Sequence, residues 1–338
     1  MGFYVGVDLH SSNSYLAVID EERKPVLKKR LPNDLERILA LLASFQDING
    51  IAIESTYNWY WLVDGLMEAG YQVHLAHPSA MVQYSGMKHR DDKDDAFWLA
   101  QMLSMDILPT GYIYPKDVRP VRDMLRKRSM LVKLRTANLT SLQSMINRWY
   151  GVKVSSMNLK RPLQDNGWQA LIGDEALALT ASSQKVIIDS LSDQIKILES
   201  AVKHKAKLDP YYTNLLSIPG VGPILGLTIA LETGPISRFA KVGNYASYCR
   251  KVTSQWVSNQ KLKGRGNRNN GNRYLAWAFS EAADHARRYD EACRRFVDRK
   301  KSKTNIGSAL SALSHKLARA AYYIMRDGVP FKREKLFP

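Results

Sequence analysis

The 338-residue sequence predicts an N-terminal α/β domain with a mixed sheet, followed by a larger, mainly α-helical region. Three observations carry this. Apolar runs with strand character alternate with helical ones over the first 80 residues, in the order three strands, helix, strand, helix, strand. Long helical patterns rich in Arg and Lys take over beyond residue 111. The charge divides in the same way. Residues 1–100 hold 9 Lys and Arg against 14 Asp and Glu, and the other 238 hold 40 against 18, within a net charge of +17. An acidic module is joined to a strongly basic one.

The elements follow in order. FYVGVDLH at 3–10 and SYLAVID at 14–20 have strand character, and the SSN between them is turn chemistry, so a hairpin is expected. KPVLKKRLPN at 24–33 makes a third strand. DLERILALLASF at 34–45 has helical spacing, with Asp34 or Asn33 placed to cap it. GIAIEST at 50–56 reads as a short buried strand, NWYWLVDGLMEAG at 58–70 as a helix closed by Gly70, and YQVHLAHP at 71–78 as another strand. This order, antiparallel first and parallel later, matches the ribonuclease-H-like arrangement.

Residues 111–150 turn helical after Pro120. Residues 182–207 make a second long helix, in which Val186, Ile187, Leu191, Ile195, Leu198 and Val202 form a stripe near the coiled-coil period. An antiparallel hairpin or a dimerisation arm is expected; packing within one chain is the plain alternative. The expected division is therefore 1–110, 111–210 and 211–338. In the last part, LLSIPGVGPILGLTIALETG at 215–234 resembles a helix-hairpin-helix unit. The turn at Gly220 and Gly222 would present backbone N–H groups to a phosphate. A tight turn without a ligand gives the same pattern.

From Thr233 to Ser280 there is no acidic residue, while nine Lys and Arg occur. The Gly, Asn, Lys and Arg content of 258–273 predicts an irregular loop with exposed amides. The helix YLAWAFSEAADHA follows, and RRYDEACRRFVDRKK adds a further basic group. Nucleic acid is the usual partner of so basic a protein, through release of condensed counterions. No run of 18 apolar residues is present, so no spanning helix and no membrane role are expected. The N-terminus lacks signal-peptide features, and only Cys249 and Cys293 occur, which fits a reducing cytoplasm.

The acidic spot RDDKDD at 90–95 stands out. Helix capping explains one or two of its aspartates. Asp92 and Asp95 share a helix face at i, i+3, and Asp91 and Asp94 make the neighbouring pair; spacing does not choose between them. Asp8 ends the apolar run FYVGV, and Glu54 ends GIAI. Burying a carboxylate without compensation is costly, so acids at apolar strand ends point to a site. If strands one and four are neighbours, Asp8 and Glu54 lie side by side and the acidic helix closes over them. Four carboxylates would hold two Mg²⁺ ions, hard cations that prefer oxygen, and such a pair serves phosphodiester chemistry. The seven histidines form no ligand-spaced cluster, so zinc is not expected.

GVDLH, AIEST, DDKDDA, IPGVGP and SNQKLKGRGNRNNGNRYLAWA together resemble the DEDD transposases of bacterial insertion sequences, the group that includes Piv-type DNA invertases and bridge-RNA-guided recombinases. The likeness runs in order over most of the chain. The family's Asp-x-x-Asp-Ala aligns on Asp92, Asp95 and Ala96. The resemblance implies a RuvC-like ribonuclease-H-fold catalytic domain, a coiled-coil insertion and a C-terminal transposase domain. It implies Mg²⁺-dependent DNA recombination, with a serine, here Ser258, as nucleophile. The family usually has glycine two positions on, where this chain has Gln260. It also implies a non-coding guide RNA from the element, and dimers that pair into tetramers.

Lys261, Lys263, Arg265, Arg268 and Arg273 are the expected backbone contacts for nucleic acid, with Arg122, Arg126 and Lys133 on the arginine-rich helix. Two other enzyme classes compete. An actin-like sugar kinase would need a second glycine-rich phosphate loop, which the sequence lacks. A RuvC-type junction resolvase would use the same carboxylates but has no need of the 230 residues that follow. A non-catalytic nucleic-acid-binding protein would have no need of the four acids.

Overall fold

The computed structural model describes residues 2–81, 92–161, 168, 171–206, 211–252, 255–258, 261–265 and 270–337. The chain forms two compact units, Met1–Lys116 and Asp117–Pro338.

The first unit is built on β1 (Phe3–Leu9), β2 (Asn13–Ile19), β3 (Pro25–Pro32), α1 (Leu35–Leu42), β4 (Ile48–Glu54), α2 (Tyr60–Glu68), β5 (Val73–Ala76) and α3 (Asp92–Ser104). The sheet runs β3-β2-β1-β4-β5. β1, β2 and β3 pair antiparallel, and β4 and β5 run parallel to β1. This mixed sheet fits a ribonuclease-H-like fold. Asp34 caps α1 by accepting the Arg37 N–H.

Strand alternation sorts the side chains to two faces. Val5, Val7, Leu9, Ile51 and Ile53 pack under α1 and α2, against Ile38, Leu42, Leu62 and Leu66. The opposite face carries small residues. Ala17 meets Ala96, and Ala52 and Ala76 meet Leu99 and Met102. Gly6 lies at the closest approach, where a methyl group would overlap the Ala96 carbonyl oxygen and the Ala100 amide. Small side chains let α3 lie flat on the sheet. Burial of Leu99 and Met102 then contributes about 1.5–3 kcal/mol each.

The second unit begins with α4 (Arg119–Tyr150), α5 (Ser156–Leu159) and α6 (Glu175–Ala206). Pro120 sits in the first turn of α4, and Gly151 ends it in the left-handed conformation. α4 and α6 run antiparallel: Arg128 Nε donates to Glu199 (2.8 Å), Arg135 to Ser192 (3.4 Å) and Gln184 to Ser141 (2.9 Å). The buried seam of α6 is Ala178, Ala181, Lys185, Ile188, Ile195 and Val202. This corrects the expected stripe. Val186 and Ile187 are 69% and 47% exposed, and Ile188 takes the inner place. Two alanines and the aliphatic stem of Lys185 set the register, and counting only large aliphatic residues misses them.

Next come α7 (Tyr212–Leu215), α8 (Pro223–Thr233), α9 (Val242–Tyr248), β6 (Gln255–Ser258), β7 (Lys261–Arg265), α10 (Arg273–Tyr289), α11 (Glu291–Lys301), α12 (Ile306–Asp327) and α13 (Arg333–Leu336). Leu313, Leu317, Ala318 and Ala321 of α12 pack with Leu275, Ala278, Phe279 and Ala282 of α10 in one core cluster. Gly220 has φ +79°, and a side chain there would strike the backbone of Ala282 and Ala286 in α10. The irregular loop expected at 258–273 is in part a β-hairpin. Ser258 pairs with Lys261 and Gln255 with Arg265, with a register shift between Trp256 and Val257. Trp256, Val257 and Leu262 supply a strand preference that the Gly, Asn and Lys content obscured. Positions 259–260 and 266–269 lie outside the described residues. No helix among the described residues is long and apolar enough to cross a membrane.

Candidate functional site

The carboxylates occupy the α3 face of the sheet. Asp8, two residues after Gly6, is 4% exposed. Val7 of β1 is in register with Ile53 of β4, so Asp8 and Glu54 stand one step beyond a paired couple, at the same end of neighbouring strands. Glu54 follows Ala52 by two residues and shares its face.

The position of α3 follows from its contacts. Gly50, in register with Tyr4, faces Leu103, whereas Gly6 faces Ala96 and Ala100. The helix therefore runs against the direction of β1. A strand rises about 3.3 Å per residue, and a helix about 1.5 Å. From Gly6 to Asp8 is thus about four to five helical residues, which brings the Asp92–Asp95 turn level with Asp8 and Glu54. Asp95 is half-buried, one turn before Leu99. Asp94 is turned to the side, its carboxylate 3.6 Å from Lys28 Nζ and 60% exposed. Lys28 also lies over the Phe97 ring at 4.6 Å. The Asp92 side chain and all of Asp91 lie outside the described residues. Among the described residues, no three His, Cys, Asp or Glu side chains are grouped closely enough to hold a metal ion.

His10 was not expected at this site. Its Nε2 lies 3.1 Å from Asp8 Oδ2. Its carbonyl accepts from Asn33 Nδ2 and Asn58 Nδ2, both at 2.9 Å, which pins the turn after β1. The sequence signal is the i, i+2 spacing in GVDLH.

The basic residues of the second unit divide. Arg122, expected to contact nucleic acid, is buried, with Nε 3.0 Å from Glu232 Oε2. Arg126 grips the same carboxylate through Nε (2.6 Å) and Nη2 (2.8 Å), and Asn272 Nδ2 donates to it at 2.7 Å. Glu232 is 2% exposed. Burial alone would raise its pKa. The Arg126 hydrogen bonds, the two guanidinium charges and Asn272 outweigh that and hold it below the usual value. Arg122 thus anchors a carboxylate that the sequence reading overlooked, a lone acid in the apolar helix PILGLTIALET. Asn272 also caps α10, accepting from the amides of Tyr274 and Leu275. It therefore ties the start of α10 to the Glu232 carboxylate.

Arg126, Lys133 and Arg273 come together along one groove between α4 and α10. Lys261 and Lys263 are exposed on β7. Ser258 is the last residue of β6. The side chains of Ser258 and Arg265, and all of Arg268, lie outside the described residues. Gly222 caps α8, and Gly220 packs against α10. Burial pushes the Lys251 ammonium down to about 8, and its Nζ donates to Ser280 Oγ at 2.7 Å. Burial pushes both thiols up, Cys293 to about 12, so neither acts as a thiolate.

Comparison with known families agrees in order along the chain. A transposase model of the IS110 DEDD type matches residues 5–150, and that of the transposase IS116/IS110/IS902 family matches 212–298. Together they cover more than half of the chain. A curated relative, the transposase for insertion sequence element IS1111A of Coxiella burnetii, is 24% identical over 279 residues, covering 78% of this chain and 73% of the relative. The chain belongs to the IS110 family of DEDD transposases.

Proposed function

We propose that the protein recombines DNA at insertion-sequence ends, with Asp8, Glu54, Asp92 and Asp95 as its metal-holding carboxylates. The observation that carries this reading is the placement of Asp8 and Glu54 on one sheet face, with the Asp92–Asp95 turn of α3 level with them. The donor chemistry fits a hard divalent cation, because carboxylate oxygens dominate and carboxylates brought together repel without one. Two Mg²⁺ ions held there would supply stabilisation of charge on the phosphodiester oxygens. His10 steadies Asp8. Asp94 serves Lys28 instead.

Ser258 is the nucleophile in this reading. Its hydroxyl oxygen bonds to phosphorus, a deoxyribose hydroxyl leaves with the proton, and the reverse attack by another strand rejoins the DNA. Lys261 and Lys263 beside it favour the phosphate. Residues 1–110 form the catalytic part, 111–210 a coiled-coil dimerisation arm, and 211–338 a basic part with a helix-hairpin-helix-like turn at Gly220 and Gly222. A cytoplasmic dimer, pairing into a tetramer on DNA and guided by an element-encoded RNA, completes the proposal.

The test incubates the purified protein, produced with its flanking DNA, with element-end DNA and Mg²⁺. A covalent protein–DNA adduct is expected, lost in Ser258→Ala. Cleavage is expected to fall by orders of magnitude in Asp95→Asn and to survive in Asp94→Asn. The opposite pattern would overturn the carboxylate assignment. Nicked DNA with no adduct and no bound RNA would indicate a resolvase-like nuclease.

A further inference from the structure

α4 and the first turns of α10 enclose a groove of about 550 Å³ in the helical unit. α4 contributes Arg126, Lys127 and Lys133 to it, and α10 contributes Arg273, Tyr274 and Trp277. Five cationic side chains line it against one carboxylate, Asp123. Arg126 and Arg128 are offset by Glu232 and Glu199. The positive field therefore comes mainly from Lys127, Lys133 and Arg273.

The aromatic pair gives the groove a second chemistry. The Tyr274 ring lies under two guanidinium groups, Arg126 at 4.5 Å and Arg273 at 5.0 Å from its centroid. Trp277 follows one turn on along the same helix face and packs against the core cluster. Both rings are half-buried, so their orientation is set by the fold. Cations beside seated aromatic rings match a phosphate joined to a flat base, and the volume accommodates a nucleotide. In a duplex the base faces are stacked on each other, and only the base edges and the backbone are exposed. The cations would serve duplex and single strand alike, whereas the rings are useful only to an unpaired base. A second groove of about 890 Å³ shares Trp277 and continues along α10 to Tyr289, but its lining adds Glu281 and Asp290, so the phosphates belong to the first groove.

We propose that this groove holds a single-stranded stretch of nucleic acid, with an unpaired base against Trp277 and Tyr274 and phosphates on Lys127, Lys133 and Arg273. The inference rests on the reading of the chain as a nucleic-acid-processing enzyme, and adds where it holds an unpaired strand.

The test uses the full chain in EDTA, so that binding succeeds or fails independently of cleavage. Labelled oligo-dT and oligo-U of about 12 nucleotides, and a duplex of equal length, are titrated by fluorescence anisotropy. Both strands are also prepared with a photoreactive 5-iodouracil base, and cross-links are mapped by mass spectrometry. Single strands are expected to bind more tightly than the duplex and to cross-link to Trp277 or Tyr274. The strand that cross-links better identifies RNA or DNA as the occupant. Trp277→Ala should weaken single-strand binding about 5- to 150-fold, and Trp277→Phe only a few-fold. Should Trp277→Ala lose its melting transition, Lys133→Ala, at an exposed position, carries the test. It should lower the slope of log affinity against log salt by about 0.7. Cross-links elsewhere, equal binding of duplex, or unchanged binding by a folded Trp277→Ala would overturn the proposal.

Discussion

Replacing Glu232 by Gln should unsettle the helical unit more than any surface change. The carboxylate accepts four N–H donors at 2.6–3.0 Å, from Arg122, Arg126 twice and Asn272. Gln keeps the shape but loses the charge, and turns an N–H₂ group toward guanidinium donors. The side chain of Arg126 is 28% exposed and can swing to water. That of Arg122 is 9% exposed and cannot, so it loses its Glu232 charge partner inside the fold. Removing one partner of a buried pair costs about 3–5 kcal/mol. Gln still accepts one hydrogen bond, which places the loss near ~3 kcal/mol. In a unit of this size each kcal/mol moves Tm by about 2–4 °C, so a fall of about 6–12 °C is expected by far-UV circular dichroism. The double variant Arg122→Met with Glu232→Leu should recover part of it, because an apolar pair replaces the buried ionic one while Arg126 and Asn272 lose their acceptor. The pH dependence supplies a further check. The folded-state pKa of Glu232 lies below its unfolded value. The stabilisation is therefore present above the ordinary carboxylate value and is lost as pH falls through the folded one. Glu232→Gln should lack that acid-side loss. A single-variant loss under about 1 kcal/mol, or a double variant no better than the single, would refute the reasoning.

Gly6→Ala should push α3 off the sheet, since the added methyl overlaps the Ala96 and Ala100 backbone. Overpacking costs about 1–3 kcal/mol. Displacing Asp95 by about 1 Å should lower DNA cleavage about 100-fold, measured beside thermal melting. Lys251 should react with an acylating reagent with a midpoint near pH 8, well below ordinary lysines, as read by peptide mass spectrometry across pH. A midpoint near about 10.4 would show its ammonium to be fully hydrated.

The order of the first unit was legible because strand alternation and helical spacing differ in period, and because SSN and Asp34 punctuate the boundaries. The strand-end positions of Asp8 and Glu54 were legible too, as charges interrupting apolar runs. Their adjacency required the β1–β4 pairing, a long-range fact that no local pattern contains. The orientation of Asp94 was hidden for the same reason, since Lys28 lies on a strand 66 residues away. In α6, alanines and a lysine stem carried the seam, and hydrophobicity counting gives them little weight. Arg122 and Glu232 are 110 residues apart, so an arginine-rich helix looked like a nucleic-acid surface throughout. The sequence shows the charge of an arginine, but only the fold shows which way it faces.

That distinction bears on the acid-free run from Thr233 to Ser280. Glu232 immediately precedes it, yet its carboxylate is taken by two arginines of α4 that lie outside the run. Within the run, four of the described cationic side chains donate to neutral oxygens. Arg238 donates to the Thr233 carbonyl, Arg250 to the Gly271 carbonyl, Lys251 to Ser280 Oγ and Arg273 to the Tyr274 hydroxyl. A hydrogen bond to a neutral oxygen orients a cation without cancelling its charge, whereas a carboxylate would do both. An acid placed in this stretch would hold one of these cations more tightly and remove its charge from the surface. Keeping the Glu232 carboxylate buried, and committed to α4 and Asn272, leaves these described cations oriented and still positive. That combination is what a phosphate backbone requires of a surface that must hold it in a fixed register.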